Sequence, residues 1–190
     1  MKKQLLTACL LTGLATATSA QTTAVKINIF SPLVKTGSFF VEHKLADQRS
    51  VQLGALFTSW DTDGTDISGF ALTPEYRLYL SDKKPALQGF YLGPFLRYQN
   101  LKLTSEALDY SEQNGNVSQS EGKATLNTLG GGVVAGYQFM FKRRFTLDTF
   151  LGPSYNGGKV KVTAGGTDSF ETDAFSGFGV RTGVTFGVAF

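Results

Sequence analysis

The C-terminal segment of the chain alternates between two kinds of side chain, and this pattern constrains the fold more than any other feature. A period of two residues is that of a β-strand with one apolar face. The opposite face carries glycines and small residues together with Arg181. The apolar face consists of Phe178, Val180, Thr182, Val184, Phe186, Val188 and Phe190.

The same period recurs seven times upstream, whereas no segment past residue 20 carries the apolar stripe of an amphipathic helix. Eight strands are therefore predicted, an even number. Closure removes the unpaired edges of a sheet, so the prediction is an all-β fold, a closed antiparallel up-and-down transmembrane β-barrel. The predicted strands begin near Val25, Ser38, Val51, Leu72, Phe90, Leu129, Leu147 and Phe178.

The connections between these strands alternate in length. Short polar turns are predicted at 46–49, 82–87 and 142–144, and longer connections at 31–37, 61–69, 104–123 and 157–172. Outer-membrane barrels have short turns on the periplasmic side and longer loops outside. Pro74 and Pro153 fall within strands, where each removes a ladder hydrogen bond, so a β-bulge is predicted at each.

Charged residues decide between a membrane barrel and a soluble one, because the two differ in which face points inward. The charged side chains share the face that carries small residues, and an arginine at the bilayer midplane costs about 2–4 kcal/mol. They are therefore predicted to form a neutral salt-bridge network that plugs the lumen. Its predicted members are Glu42, Glu75, Arg77, Arg97, Asp148 and Arg181.

The N-terminus has the order of a secretory signal peptide. Lys2 and Lys3 precede an apolar run, and small residues lead to Ala20, after which cleavage is expected. The run is shorter than the roughly 18 residues of a spanning helix. A lipoprotein signal at Cys9 is the weaker alternative, because too little apolar sequence precedes that residue. The predicted domains are a signal peptide, 1–20, and an outer-membrane barrel, 21–190.

Several short motifs resemble those of known barrels. The terminal strand ending in Phe190 resembles the signal that the barrel-assembly machinery reads. The stretches 26–28 (KIN), 74–79 (PEYRLY) and 89–93 (GFYLG) resemble an uncharacterised barrel family of Gram-negative bacteria, known only as a domain of unknown function. This resemblance implies a small outer-membrane barrel and brings no established reaction.

Two other groups of residues are candidate sites. His43 is the only histidine, and lipid-modifying barrel enzymes pair a histidine with a serine, but its place near an inner turn favours an interfacial residue. Asp61, Asp63 and Asp66 lie in one predicted outer connection and offer oxygen ligands for a weak cation site. They lack the distal glutamate of an EF-hand, so a solvated loop is the simpler interpretation.

These observations favour a structural or interaction protein that displays its outer loops, with no enzymatic activity, cofactor or resident metal. Passive transport of small or hydrophobic solutes and lipid-modifying catalysis are the alternatives. Without residues 1–20 the number of basic residues falls from 18 to 16, against 15 acidic ones. This near balance gives no basic surface of the kind that nucleic-acid-binding proteins present. The expected partners are outer-membrane lipid, lipopolysaccharide and the assembly machinery, and a monomer is expected.

Overall fold

The chain forms a closed barrel in which eight antiparallel strands follow one another in sequence order. The computed structural model describes residues 21–62, 65–81, 86–110, 117–164 and 177–190. The predicted signal peptide, 1–20, lies outside these residues. Strand β1 pairs with both β2 and β8, which closes the cylinder. The fold class predicted from the alternation is therefore confirmed.

The strands differ greatly in length, from 6 residues in β1 to 25 in β6. A single-turn 3-10 helix, Ser31–Val34, connects β1 to β2. No helix in the described ranges has the length and hydropathy of a membrane span. The strands are β1 Thr23–Asn28, β2 Thr36–Ala46, β3 Arg49–Thr62, β4 Thr65–Tyr79, β5 Gly89–Tyr110, β6 Val117–Phe141, β7 Phe145–Ala164 and β8 Gly177–Ala189.

Side-chain exposure follows the predicted faces. On the outward face Phe178 is 91% exposed and Leu129 is 65% exposed, although both are large and apolar. Inward residues such as Arg77 and Asp148 are completely buried. The barrel is thus inverted relative to a soluble protein, because its apolar side chains cover the outside and its charged ones fill the interior.

The two ends of the barrel are different. One end, called here the short-turn end, carries the tight connections from Ala46 to Arg49 and from Phe141 to Phe145, and both agree with the predicted turns. The C-terminus also lies there, because the carbonyl oxygen of Phe190 accepts a 3.0 Å hydrogen bond from the Thr23 amide. The opposite end is called the loop end.

The predicted long connections at the loop end are partly wrong. The hairpin of β5 and β6 continues until Tyr110 pairs with Val117, and β7 runs on to Ala164, so much of 104–123 and 157–172 is strand. Similarly, β3 and β4 remain paired up to Thr62 and Thr65. Residues 104–110 and 117–123 have no consistently apolar face, so their sequence lacks the alternation that marks a half-buried strand, whereas lysine and valine do alternate over 159–162 of β7.

The bulges predicted at the two prolines are absent. Across Pro74 the β4–β5 register is unchanged between the pairs Leu72–Tyr98 and Glu75–Phe95. Pro153 pairs with Val180 in the regular β7–β8 register. Each proline lies in a short stretch without paired residues in one of its two strand ladders, Pro74 in the ladder with β5 and Pro153 in the ladder with β6. The missing N–H is therefore accommodated without an extra residue.

Candidate functional site: the lumen network

Buried polar and aromatic side chains from all eight strands meet inside the barrel on the short-turn side. They are inward members of the alternating pattern, so the strand register sets which of them share a height. We call this set the lumen network. It consists of Lys26, Glu42, Ser50, Glu75, Arg77, Tyr79, Tyr91, Gln138, Asp148 and Arg181.

Arg77 connects the three carboxylates of the network. Its Nε donates a hydrogen bond to Glu75 at 2.6 Å, and its Nη1 donates to Asp148 at 2.8 Å and to Glu42 at 3.2 Å. The guanidinium also lies over the ring of Tyr91, 4.1 Å from its centroid. A single cation thus joins groups on β2, β4 and β7.

Lys26 is the second fully buried cation. Its ammonium nitrogen donates to Glu42 Oε2 at 2.6 Å, to the side-chain oxygen of Gln138 at 2.9 Å and to Asp148 Oδ2 at 3.2 Å. An ammonium has three donors, and all three are used here. The pairing offsets the large free-energy cost of removing these charges from water.

Neutral groups satisfy the remaining carboxylate oxygens. The hydroxyls of Ser50 and Tyr79 donate to Glu42 Oε1 at 2.5 and 2.7 Å. The Tyr91 hydroxyl donates to Asp148 Oδ1 at 2.9 Å. Because each carboxylate oxygen has a defined donor, the network is held in one arrangement.

On its loop-end side the network continues to Arg181. The Nη1 of Arg181 donates to Glu75 Oε2, so Glu75 bridges the two arginines. The Arg181 guanidinium lies 4.5 Å from the ring centroid of Phe95 and 4.8 Å from that of Phe150. These rings shield the ion pair from solvent and add cation–π attraction.

Glycines make room for the large inward side chains. A Cβ atom at Gly136 would lie 2.5 Å from the Tyr91 hydroxyl, and one at Gly183 would lie 2.6 Å from the Phe150 ring. Both contacts are far shorter than van der Waals distance. An eight-stranded lumen is just wide enough for side chains to fill, so large residues on one strand require small ones opposite.

The structure brings together five of the six charged residues that the sequence singled out, namely Glu42, Glu75, Arg77, Asp148 and Arg181. Arg97 faces the lumen but has no ion pair with a described residue. The sequence interpretation omitted Lys26, which takes the place expected of Arg97. Its position between Val25 and Ile27 on the polar face of β1 was the available signal.

The other sequence candidates lie elsewhere. Asp61 and Asp66 face each other across β3 and β4 near the loop end and are exposed, whereas Asp63 lies outside the described residues. The described ranges contain no group of three potential metal ligands. His43 is exposed near the short-turn end, where its Nδ1 is 2.9 Å from the Thr23 hydroxyl oxygen.

Comparison with solved structures identifies similar folds. A major outer membrane protein from Thermus thermophilus superposes with a TM-score of 0.51 at 14% identity, covering 90% of this chain and 100% of that one. CarO of Acinetobacter baumannii gives a TM-score of 0.46 at 10% identity, covering 90% and 97%. At this identity the likeness to the Thermus protein supports the barrel fold alone.

Sequence comparison gives the family. A search of curated protein sequences found no significant match. A family model described as "Protein of unknown function (DUF3575)" matches residues 5–167. Because this match covers well over half of the sequence, the chain belongs to the DUF3575 family.

Proposed function

We propose that this protein is a non-conducting barrel of the outer membrane that serves a structural or interaction role through its loop end. The observation that carries the proposal is the lumen network, to which every strand contributes a buried side chain. Three features support it in turn: the apolar outer surface, the filled cross-section and the strands that project beyond the barrel.

The outer surface supports a position in lipid. Large apolar residues are exposed on every strand, and exposed apolar patches this extensive are rare on soluble monomers. Examples from opposite sides of the barrel are Leu53 at 52%, Leu96 at 63% and Leu151 at 59% exposure. Stable burial of these side chains would require acyl chains or another apolar environment.

The filled cross-section favours a closed lumen over the alternative of passive transport. Lys26, Arg77, Glu42 and Asp148 have no exposed side-chain surface. A solute that crossed at this height would have to separate ion pairs in a region of low dielectric constant, which costs several kcal/mol per uncompensated ion. The network therefore acts as a plug in our proposal.

The loop end supports an interaction role. Strand β4 begins at Thr65, opposite Ser105, and β8 begins at Gly177, opposite Asn156. Strands β5, β6 and β7 continue beyond these points and pair with each other up to Tyr110 and Ala164. At about 3.3 Å per residue, this three-stranded extension would reach beyond the first residues of β4 and β8 and offer backbone to a partner.

Catalysis is not part of the proposed role. His43, the only histidine of the sequence, lies on the lipid-facing side near the short-turn end, and the Thr23 hydroxyl is its neighbour. A lipid-modifying enzyme would change the mass of lipid A. Incubation with the purified barrel should leave that mass unchanged, and a change that His43→Ala abolishes would contradict this assignment.

Planar-bilayer recording tests the plug. The wild-type barrel should give no single-channel steps, whereas an open porin prepared in the same detergent should give them. The double variant Lys26→Ser/Arg77→Ser removes both central cations and should produce steps. The matched variant Arg49→Ser, which removes an exposed arginine at the short-turn end, should remain silent.

The wild-type recording decides the question even if the double variant fails to fold. Folding is checked by heat-modifiable migration on gels before each recording. Reproducible wild-type steps, at a frequency that scales with the amount of folded barrel, would contradict the closed lumen and favour passive transport.

A further inference from the structure

A cavity of about 180 Å³ lies on the loop-end side of the lumen network. Residues of the 3-10 helix lie on its outer side, and the two arginines Arg97 and Arg181 line it from β5 and β8. Phe40 and Phe150 form apolar walls, and Ser38 and Thr73 contribute hydroxyls. The cavity therefore lies between the plug and the loop end and is distinct from the ion pairs themselves.

Arg97 differs from Arg77, whose Nη2 also lacks a hydrogen-bond partner, because Arg77 is paired with three carboxylates whereas Arg97 has no ion pair with a described residue. Its Nε atom is buried and has no hydrogen-bond partner, and within the described ranges Arg97 forms no ion pair. Buried polar groups in native proteins nearly always have a partner, so an unpaired guanidinium nitrogen calls for an explanation. Arg181 also has capacity left, since only its Nη1 donates to Glu75 and a guanidinium carries five donors.

The charges around the cavity do not balance. In the lumen network the cations Lys26, Arg77 and Arg181 match the carboxylates of Glu42, Glu75 and Asp148. Arg97 adds one positive charge that none of these carboxylates contacts. The excess therefore lies at the cavity, in a barrel interior where water screens charge poorly.

The hydroxyl groups of the wall are largely satisfied within the protein. Ser31 donates to Ser38 at 2.7 Å, and Thr36 is 3.0 Å from the hydroxyl of Thr58. The two arginines are the charged donors of the wall, and the buried Nε of Arg97 has no hydrogen-bond partner. An incoming group should accept hydrogen bonds and carry negative charge, and it should tolerate the aromatic rings of Phe40 and of Phe150, which lies beside Arg181.

We propose that this cavity binds a small organic carboxylate, with its anionic group on Arg97 and Arg181 and its apolar body against Phe40 and Phe150. A planar guanidinium matches a carboxylate through two parallel hydrogen bonds. The size is suitable, because a cavity of roughly 150 Å³ holds a benzene molecule. This inference goes beyond the proposed function and makes the closed barrel a receptor for a solute at its loop end.

Calorimetric titration of the detergent-folded, full-length mature barrel with benzoate tests the proposal. Benzoate combines a carboxylate with an apolar body of suitable size, benzamide is its neutral counterpart, and inorganic phosphate is an anion without an apolar body. We expect saturable binding of benzoate and binding at least about tenfold weaker for the other two, because benzamide lacks the charge that strengthens the hydrogen bonds and phosphate lacks the apolar body.

The variants assign the binding to the cavity. Arg97→Gln should weaken benzoate binding by at least about tenfold, and it should fold because Arg97 has no ion pair to lose. Arg97→Lys should retain part of the affinity through its charge. Arg49→Gln, which removes an exposed arginine at the short-turn end, should bind like the wild type.

Three results would overturn the proposal: no benzoate binding, equal binding of benzamide or phosphate, or wild-type affinity in Arg97→Gln. A thermal-stability measurement on the same samples separates lost binding from lost folding. Because binding is measured in detergent without a membrane potential, its outcome is independent of whether the barrel conducts ions in the bilayer experiment.

Discussion

Lys26 shows how much a single buried charge contributes to this barrel. Its ammonium has no exposed surface and holds two carboxylates and one amide oxygen, on strands β2, β6 and β7. Removing one partner of a buried ion pair leaves the other charge uncompensated in a region of low dielectric constant. A small chemical change at Lys26 should therefore lower the free energy of unfolding substantially.

We therefore expect Lys26→Met to destabilise the barrel by roughly 3–5 kcal/mol, even though methionine has a similar shape. The measurement is the free energy of unfolding from urea titration in lipid vesicles. Lys44→Met is the matched control, because Lys44 pairs with Asp47 at 2.9 Å, and Lys44 is 19% exposed and Asp47 95% exposed, so removing Lys44 leaves its partner in water. Exposed ion pairs contribute little, so this control should stay close to the wild type. Similar losses in the two variants would mean that the interior pair is screened.

Individual residues were only partly predictable. The alternation placed the six charged candidates on the inward face, but it contains no information on which strands meet at a given height. Arg97 was therefore grouped with residues with which it forms no ion pair, and Lys26, on the polar face of β1, was left out. These heights are set by the barrel shear, which is the total stagger of strand register around the closed sheet. The shear is a property of the whole sheet and not of any one strand.

At the scale of elements, β6 depends on its glycines. Gly136 lies opposite Tyr91 and Phe150 in the two neighbouring ladders, and its missing side chain leaves space for the Tyr91 ring. A Cβ atom there would also lie 2.7 Å from the carbonyl oxygen of Thr149, which is backbone and cannot rotate away. Any side chain at this position would therefore force the strand or its neighbours to shift.

Gly136→Ala should lower the free energy of unfolding by about 1–3 kcal/mol, the usual range for overpacking. Gly157→Ala is the control in the neighbouring strand, because its nearest contact to an added Cβ is the Leu129 carbonyl oxygen at 3.8 Å. That variant should be unchanged or slightly more stable. If alanine has the same small effect on the free energy of unfolding at 136 and 157, then Gly136 is not needed to leave space for the Tyr91 ring.

The strands themselves were predictable wherever one face is apolar. The segments near Val25, Leu129 and Phe178 have a strict two-residue period, and the structure places each on the expected face. The prediction failed in 104–110 and 117–123, where β5 and β6 pair beyond the rim. A strand that is polar on both faces has no hydrophobic period, and its pairing depends on its neighbour.

In the described part of the chain, large apolar side chains cover the outside of the barrel wall and six buried charged residues lie within it, which defines the environment the molecule requires. Neighbouring residues on one strand therefore report on opposite sides of the wall. Leu72 is 40% exposed on the outer face, whereas Thr73 is buried and lines the inner cavity. No cysteine occurs after residue 20, so each position of 21–190 can be labelled singly once Cys9 is removed or replaced.

Spin labels at Leu72→Cys and Thr73→Cys in lipid vesicles should differ sharply. The label at 72 should relax strongly with dissolved oxygen, which concentrates in acyl chains, and weakly with a water-soluble nickel chelate. The label at 73 should be shielded from oxygen in the acyl chains. High chelate contact at 72 would show that water covers the outer face, and the proposed membrane location would then be wrong.

The ion pair between Lys26 and Asp148 spans the junction of β1 and β8, where the barrel closes, and it therefore depends on barrel assembly. Lys26 belongs to the first strand, and its partner Asp148 is 122 positions later in the chain, on the seventh. Until the first and last strands join, these opposite charges have no way to meet, and an open sheet would have to expose them to lipid or retain water. Completion of the cylinder thus adds the Lys26–Asp148 pair to the Lys26–Glu42 pair that the neighbouring strands β1 and β2 already hold.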